Sequence, residues 1–165
     1  MVSLGLSGEQ QAMIDTVGGA LAHRGERPAD AVLAELGIDA LLAEGGNLFD
    51  AALVAEAGGR EGALAFPAER ILIAAACIGM AARALDDAAA YARDRVVFGR
   101  PIGEYQGVAH TLANAATEVD GTRLLIWRAI AARAEGLPEA AQLDVQAFWW
   151  TARAVLPAIR AAIRT

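Results

Sequence analysis

The stretch YARDRVVFGRPIGEYQ, residues 91–106, decides how the rest of the chain is read. It predicts a helix that stops abruptly. Arg93, Asp94 and Arg95 fall in its last turn, and Gly99, Pro101 and Gly103 then prevent helix for several residues. Arginines at a helix C-terminus beside a glycine-rich turn make a cationic, hydrogen-bonding rim suited to a phosphate-bearing ligand. The same arginines would equally serve to cap the helix against its dipole.

Working outward, the preceding helix spans about 67–95. Its first half, ILIAAACIGMAA, is apolar all round and predicts a buried central helix. The following helix spans about 104–135. There Val108, Leu112, Ala115, Val119, Thr122 and Ile126 recur at alternating spacings of four and three, a continuous packing seam. A last helix starts near Pro138, carries Phe148, Trp149 and Trp150, and is expected to bend or break at Pro157. The aromatic trio reads as the anchor of a core or a subunit interface.

Toward the N-terminus, Ser7 with Gln10 forms a capping-box signal for a helix over 8–23. Pro28 opens a second helix that ends near Gly37, with Ile38 folding back on Leu33. A short helical segment over 38–44 stops at Gly45-Gly46. Asn47 then caps a helix that ends at Gly58-Gly59. No β-sheet is expected. The fold class is all-α, a bundle of long antiparallel helices in a single helical domain over 1–165. A short-helix part, 1–60, precedes a long-helix part, 67–165.

Composition narrows the function. The 165 residues are 56% hydrophobic with a mean hydropathy of +0.36, which points to helices buried on more than one side and to a homodimer or higher oligomer. The longest uncharged apolar run, 71–82, is too short for the ~20 residues of a membrane span. The start, MVSLGLSGEQ, lacks the features of a signal peptide, so the expectation is a cytoplasmic protein without membrane partners. A net charge of −6 argues against nucleic acid. All 14 basic residues are arginine, which excludes Schiff-base, pyridoxal-phosphate and P-loop lysine chemistry. His23 and His110 have no partner at metal-ligand spacing, and no GxSxG elbow exists. Cys77, the only cysteine, lies in an apolar run and reads as a small hydrophobe.

The spacing Glu69-Arg70, Gly79, Leu85-Asp86, Tyr91, Arg95, Phe98-Gly99, Gln106 and His110-x-Leu-Ala resembles the C-terminal helical domain of acyl-CoA dehydrogenases without gaps. The segments LSGEQQAMIDTV, LAELGIDALLAE and LVAEAGGREGA resemble a shortened N-terminal helical domain of the same family. Two departures stand out. In the family a β-domain lies between the helical parts, where here Phe66-Pro67 joins them directly. The family's glutamine and glycine pair after the last helices is also expected to be missing.

The resemblance implies FAD-dependent α,β-dehydrogenation of an acyl-CoA or another acyl thioester, in a homo-oligomer or with a second related subunit. It implies that Glu69 is the catalytic base and that Arg70 lies near the thioester. It places Arg95 and Phe98 against the flavin across a subunit interface, and Gln106 in the same cofactor region. A base of this kind works best in an apolar pocket, for which Phe66, Ile71 and Leu72 are the nearby candidates. The alternative for Glu69 is a first-turn glutamate favoured by the helix dipole. A helical scaffold or interaction subunit without catalysis is the alternative for the chain. Glu69 and Arg95 are 26 residues apart, ~39 Å on a straight helix, so they serve two ends of a long ligand or two sites related by a dimer axis. Asp87, Tyr91 and Arg95 are spaced as a stabilising ladder on one helix face. His110, between Val108 and Leu112, reads as a helix residue packed at an interface.

Overall fold

The computed structural model describes residues 5–38, 40, 47–62 and 70–164. The expected segment over 38–44, its Gly45-Gly46 stop and the Phe66-Pro67 junction lie mostly or wholly outside the described residues.

Ser7 caps α1 (Gly8–Ala22) by the predicted reciprocal pair: its hydroxyl accepts from the Gln10 N–H at 3.1 Å, and the Gln10 side chain accepts from the Ser7 N–H at 3.0 Å. α2 (Ala29–Glu35) is shorter than expected, with Pro28 at its N-cap. Gly37 ends the turn at φ +70°, a conformation open to glycine, and Ile38 is buried in one cluster with Leu33. Asn47 caps α3 (Leu48–Arg60), accepting from the Asp50 N–H at 2.9 Å.

α3 corrects the sequence reading. It runs through Gly58-Gly59 to Arg60, and the glycines serve packing. A Cβ on Gly59 would stand 1.9 Å from the Ala76 carbonyl oxygen, and one on Gly79 2.0 Å from that of Glu56. The backbones of α3 and α4 (Arg70–Asp94) therefore touch where they cross, and only glycine fits there. At this crossing Arg123 reaches over from α5 (Gln106–Ala134) and donates to Glu56 Oε1 at 2.6 Å, with Asp120 as a second partner. Burial tends to lower the Arg123 pKa, but Glu56 and Asp120 outweigh it and raise the value.

α4 is the central helix. It packs on α3, α5 and α6 (Ala140–Arg164), with Ile71, Ala74, Ala75, Ile78 and Ala81 fully or nearly enclosed. Each large apolar side chain so enclosed contributes ~1.5–3 kcal/mol. The helix is not enclosed all round, since Ile73 is 41% exposed. Cys77 is half-buried, and burial pushes its thiol pKa up. The seam of α5 forms as expected: Ala115, Val119, Thr122 and Ile126 are buried. The short turn at 135–139, with Gly136 at φ +66°, sets α6 antiparallel to α5.

α6 runs unbroken through Pro157. Proline removes the hydrogen bond to the Arg153 carbonyl, but both residues are exposed, so water can satisfy that oxygen. A second, smaller cluster joins Val17, Leu21, Val32, Leu33 and Ile38 to Val54 and Ala57 on the far side of α3.

The expectation of no β-structure is also corrected. Val96–Val97 (β1) and Arg100–Pro101 (β2) pair antiparallel, with Val97 opposite Arg100. The proposed Asp87–Tyr91–Arg95 ladder does not form. Asp87 instead accepts from Arg83 Nε at 3.0 Å, one turn earlier, and Tyr91 is 50% exposed.

Candidate functional site

The sequence-predicted residues separate into two groups at opposite ends of α4. Arg95, Phe98 and Gln106 gather at its C-terminal end. Helix α4 stops at Asp94, although the Arg95 N–H still bonds the Tyr91 carbonyl at 2.9 Å. The chain then reverses in a two-residue loop, Phe98-Gly99, at φ +51° and +80°. Two consecutive left-handed residues make the hairpin turn that matches strand twist. Glycine adopts this freely; phenylalanine does so against its Cβ sterics. No burial compensates, because Phe98 is 94% exposed.

The base of the hairpin is firmly built. The Ile102 N–H donates to the Arg95 carbonyl at 2.8 Å, and Tyr105 Oη donates to the Val97 carbonyl at 2.8 Å. The Arg100 guanidinium lies 4.1 Å from the centre of the Tyr105 ring. A turn of 3₁₀ helix, Ile102–Glu104, leads into α5, and a Cβ on Gly103 would come to 3.1 Å from the Ala92 carbonyl oxygen. Tyr105 and Arg100 therefore hold the hairpin, a role that sequence reasoning missed; nothing in their spacing alone announces it. Arg95 is exposed, and among the described residues its guanidinium has no hydrogen-bond or ion-pair partner. Gln106 is exposed in the first turn of α5. An exposed guanidinium, an exposed carboxamide and an exposed ring thus lie in and beside the hairpin at this end of α4. Those donors fit a ligand with phosphates and a flat aromatic system.

The other end of α4 carries Arg70. It is exposed and lines an open groove of about 350 Å³ with Arg133, Ala141, Asp144 and Val145. Arg133 Nη1 stands 3.4 Å from Asp144 Oδ2, while the buried Asp144 Oδ1 has no hydrogen-bond partner among the described residues. Arg133 and Asp144 were not singled out in the sequence; their meeting depends on the α5–α6 turn. Glu69 and Phe66 lie outside the described residues. Ile71 and Leu72 are buried in the main core, at 0% and 4% exposure, and point into the bundle. Arg70 and Arg95 are 25 residues apart on one helix, ~37 Å. The structure therefore does not bring the two groups together within one protomer. His110 is exposed, and Phe148, Trp149 and Trp150 are not in the core. Among the described residues, no cluster of three or more histidine, cysteine or acidic side chains could hold a metal ion, and no helix is long and apolar enough to cross a membrane.

The family profile described as "Acyl-CoA dehydrogenase, C-terminal domain" matches residues 62–164. The chain belongs to the acyl-CoA dehydrogenase family. The match covers the long-helix part and both ends of α4. A 3-sulfinopropanoyl-CoA desulfinase of Paraburkholderia xenovorans is 39% identical over 71 residues, 43% of this chain and 18% of that protein. A short-chain specific acyl-CoA dehydrogenase of Megasphaera elsdenii is 33% identical over 98 residues, 59% of this chain and 23% of that protein. The alignments thus span only about a fifth of these relatives' lengths. Among solved structures, a chain from a study of the electron transferring flavoprotein of Acidaminococcus fermentans superposes with a TM-score of 0.55 at 26% identity, covering 73% of this chain and 28% of that one. Related oxidoreductases are therefore the setting of this chain. The printed names of these relatives differ in reaction, a desulfinase beside a dehydrogenase.

Proposed function

We propose that the chain, acting as one helical domain, is a component of an FAD-dependent acyl-CoA dehydrogenase-type oxidoreductase that works on an acyl thioester. The supporting observation is the hairpin beside α4. Phe98 keeps a left-handed backbone and a 94% exposed ring beside Arg95, a backbone cost that no contact within this chain offsets and that a bound partner molecule would. In this reading Arg95 and Gln106 hold the polar part of FAD, and Phe98 lies against its ring system. FAD, when bound, supplies the hydride acceptor for the β-carbon. Glu69 takes the α-proton, and Arg70 orients the thioester end.

The ~37 Å between the two groups requires a second chain. A two-fold assembly brings the Arg70 end of one chain toward the hairpin of the other. A related partner subunit could do the same and could supply the sheet that is absent between Glu61 and Arg70, where this sequence has only eight residues.

The test is the mass and absorbance of the native assembly. A flavin band is expected, or uptake of added FAD by the chain with a co-encoded relative, and Glu69→Gln should abolish turnover while flavin is kept. A colourless protein that takes up no FAD in either setting rejects the reading. A non-catalytic helical interaction subunit is the second reading, favoured by that direct junction. It predicts that Glu69→Gln changes nothing beyond stability.

A further inference from the structure

The hairpin carries a second arginine whose place follows from the strand register. Val97 stands opposite Arg100, and Val96 opposite Pro101. One step further from the turn, the bond from the Ile102 N–H to the Arg95 carbonyl sets Ile102 opposite Arg95. Side chains alternate between the two faces of a strand, and directly opposed residues share a face. Arg95, Val97, Arg100 and Ile102 therefore stand on one face, with Val96 and Pro101 on the other. Arg95 and Arg100 are diagonal neighbours there, with Cβ atoms about 7 Å apart.

Both arginines are exposed, and among the described residues neither has a carboxylate partner, although Asp94 and Glu104 are close in sequence. Arg60, Arg83, Arg123 and Arg128 each have one. Two guanidiniums held this close without a counter-charge repel each other, and an anion with two charged centres between them turns that repulsion into attraction. Tyr105 prepares Arg100 for such a ligand. Its hydroxyl is fixed on the Val97 carbonyl at 2.8 Å, and the Arg100 guanidinium lies 4.1 Å from the centre of its ring. An arginine resting on an aromatic face keeps the N–H donors of its edge directed outward. It also loses less side-chain freedom on binding.

We propose that Arg95 and Arg100 form a two-arginine clamp for a diphosphate group, with Tyr105 as the residue that positions Arg100. The planar fork of arginine donors matches phosphate oxygens. A diphosphate offers each guanidinium its own phosphoryl group, which a single phosphate does not. If FAD is the ligand, as the proposed function has it, the clamp holds the diphosphate of that dinucleotide, and Arg100 is a further binding residue beside Arg95 and Gln106.

Inorganic diphosphate titrated into the whole chain at low salt should move the side-chain Nε–H resonances of Arg95 and Arg100, and binding should weaken as added salt screens it. Orthophosphate should bind several-fold more weakly. Arg100→Gln should weaken diphosphate binding about tenfold or more, and Arg100→Lys should restore part of it, because the charge returns without the fork. Tyr105→Leu should cost a smaller factor and shift the Arg100 resonance even without ligand; an unmoved resonance with unchanged affinity would remove Tyr105 from the clamp. No binding of diphosphate at about 10 mM, binding that Arg100→Gln leaves unchanged, or orthophosphate bound as tightly as diphosphate would each overturn the proposal. Added FAD separates the clamp from the cofactor. Diphosphate binding without FAD uptake keeps the clamp and rejects FAD as its ligand, whereas FAD uptake that is equal in the wild type and Arg100→Gln rejects the clamp alone.

Discussion

At the scale of single residues, glycine does opposite things in this chain. Gly37 and Gly136 end turns at φ +70° and +66°, the first of them where the sequence places a helix end. Gly59 and Gly79 lie inside helices and let two backbones touch. The sequence pattern cannot tell these uses apart, because both follow a run of helical residues. Only the neighbouring helix reveals the second. Gly79→Ala should therefore be far from neutral despite alanine's better helix propensity. Its methyl would meet the Glu56 carbonyl, and separating the helices would also disturb the Glu56–Arg123 pair. A loss of about 2–4 kcal/mol is expected in urea unfolding, where a gain would show that the crossing is loose.

At the scale of elements, the hairpin between α4 and α5 joins the sequence motif to its geometry. The abrupt helix stop and the glycine-rich turn were legible, since proline and glycine forbid helix wherever they fall in such a run. The paired strands and the left-handed Phe98 were not, because phenylalanine has no preference for that conformation. Phe98→Asn tests what the residue is for. Asparagine accepts positive φ, and almost no buried surface is lost, so stability should rise by about 0.5–1 kcal/mol in thermal unfolding. If Phe98 covers a cofactor, the same variant should lose flavin uptake. Increased stability together with undiminished uptake would remove Phe98 from the proposed site. The α6 helix teaches a related lesson. Its tryptophans read as core or interface anchors, and the fold leaves them outside the core.

At the scale of the whole molecule, two apolar clusters share α3. The larger spans α3, α4, α5 and α6, and the smaller ties α1 and α2 to the other face of α3. The smaller cluster holds few large side chains, and α2 is only seven residues long. Native-state hydrogen exchange should therefore show α1 and α2 opening at a lower free energy than α4 and α5. Equal protection across all six helices would mean that the clusters unfold as one. The division of the site follows from the same architecture. A central helix of 25 residues separates its two ends by more than the span of a small substrate, which is why the proposed reaction calls for a second chain.

By itself, the sequence determined that the chain is helical, where most helices begin, and which family it belongs to. Those properties rest on local chemistry: caps, glycine and proline stops, apolar spacing along one helix, and a contiguous motif at one helix end. The tertiary structure alone decided which glycines touch a neighbour, which arginine pairs with Glu56, which face of α6 is left uncovered, and that Arg70 and Arg95 stay apart. Those properties depend on residues distant in sequence meeting in space, and a repeating pattern within one helix holds no record of which neighbour it will face.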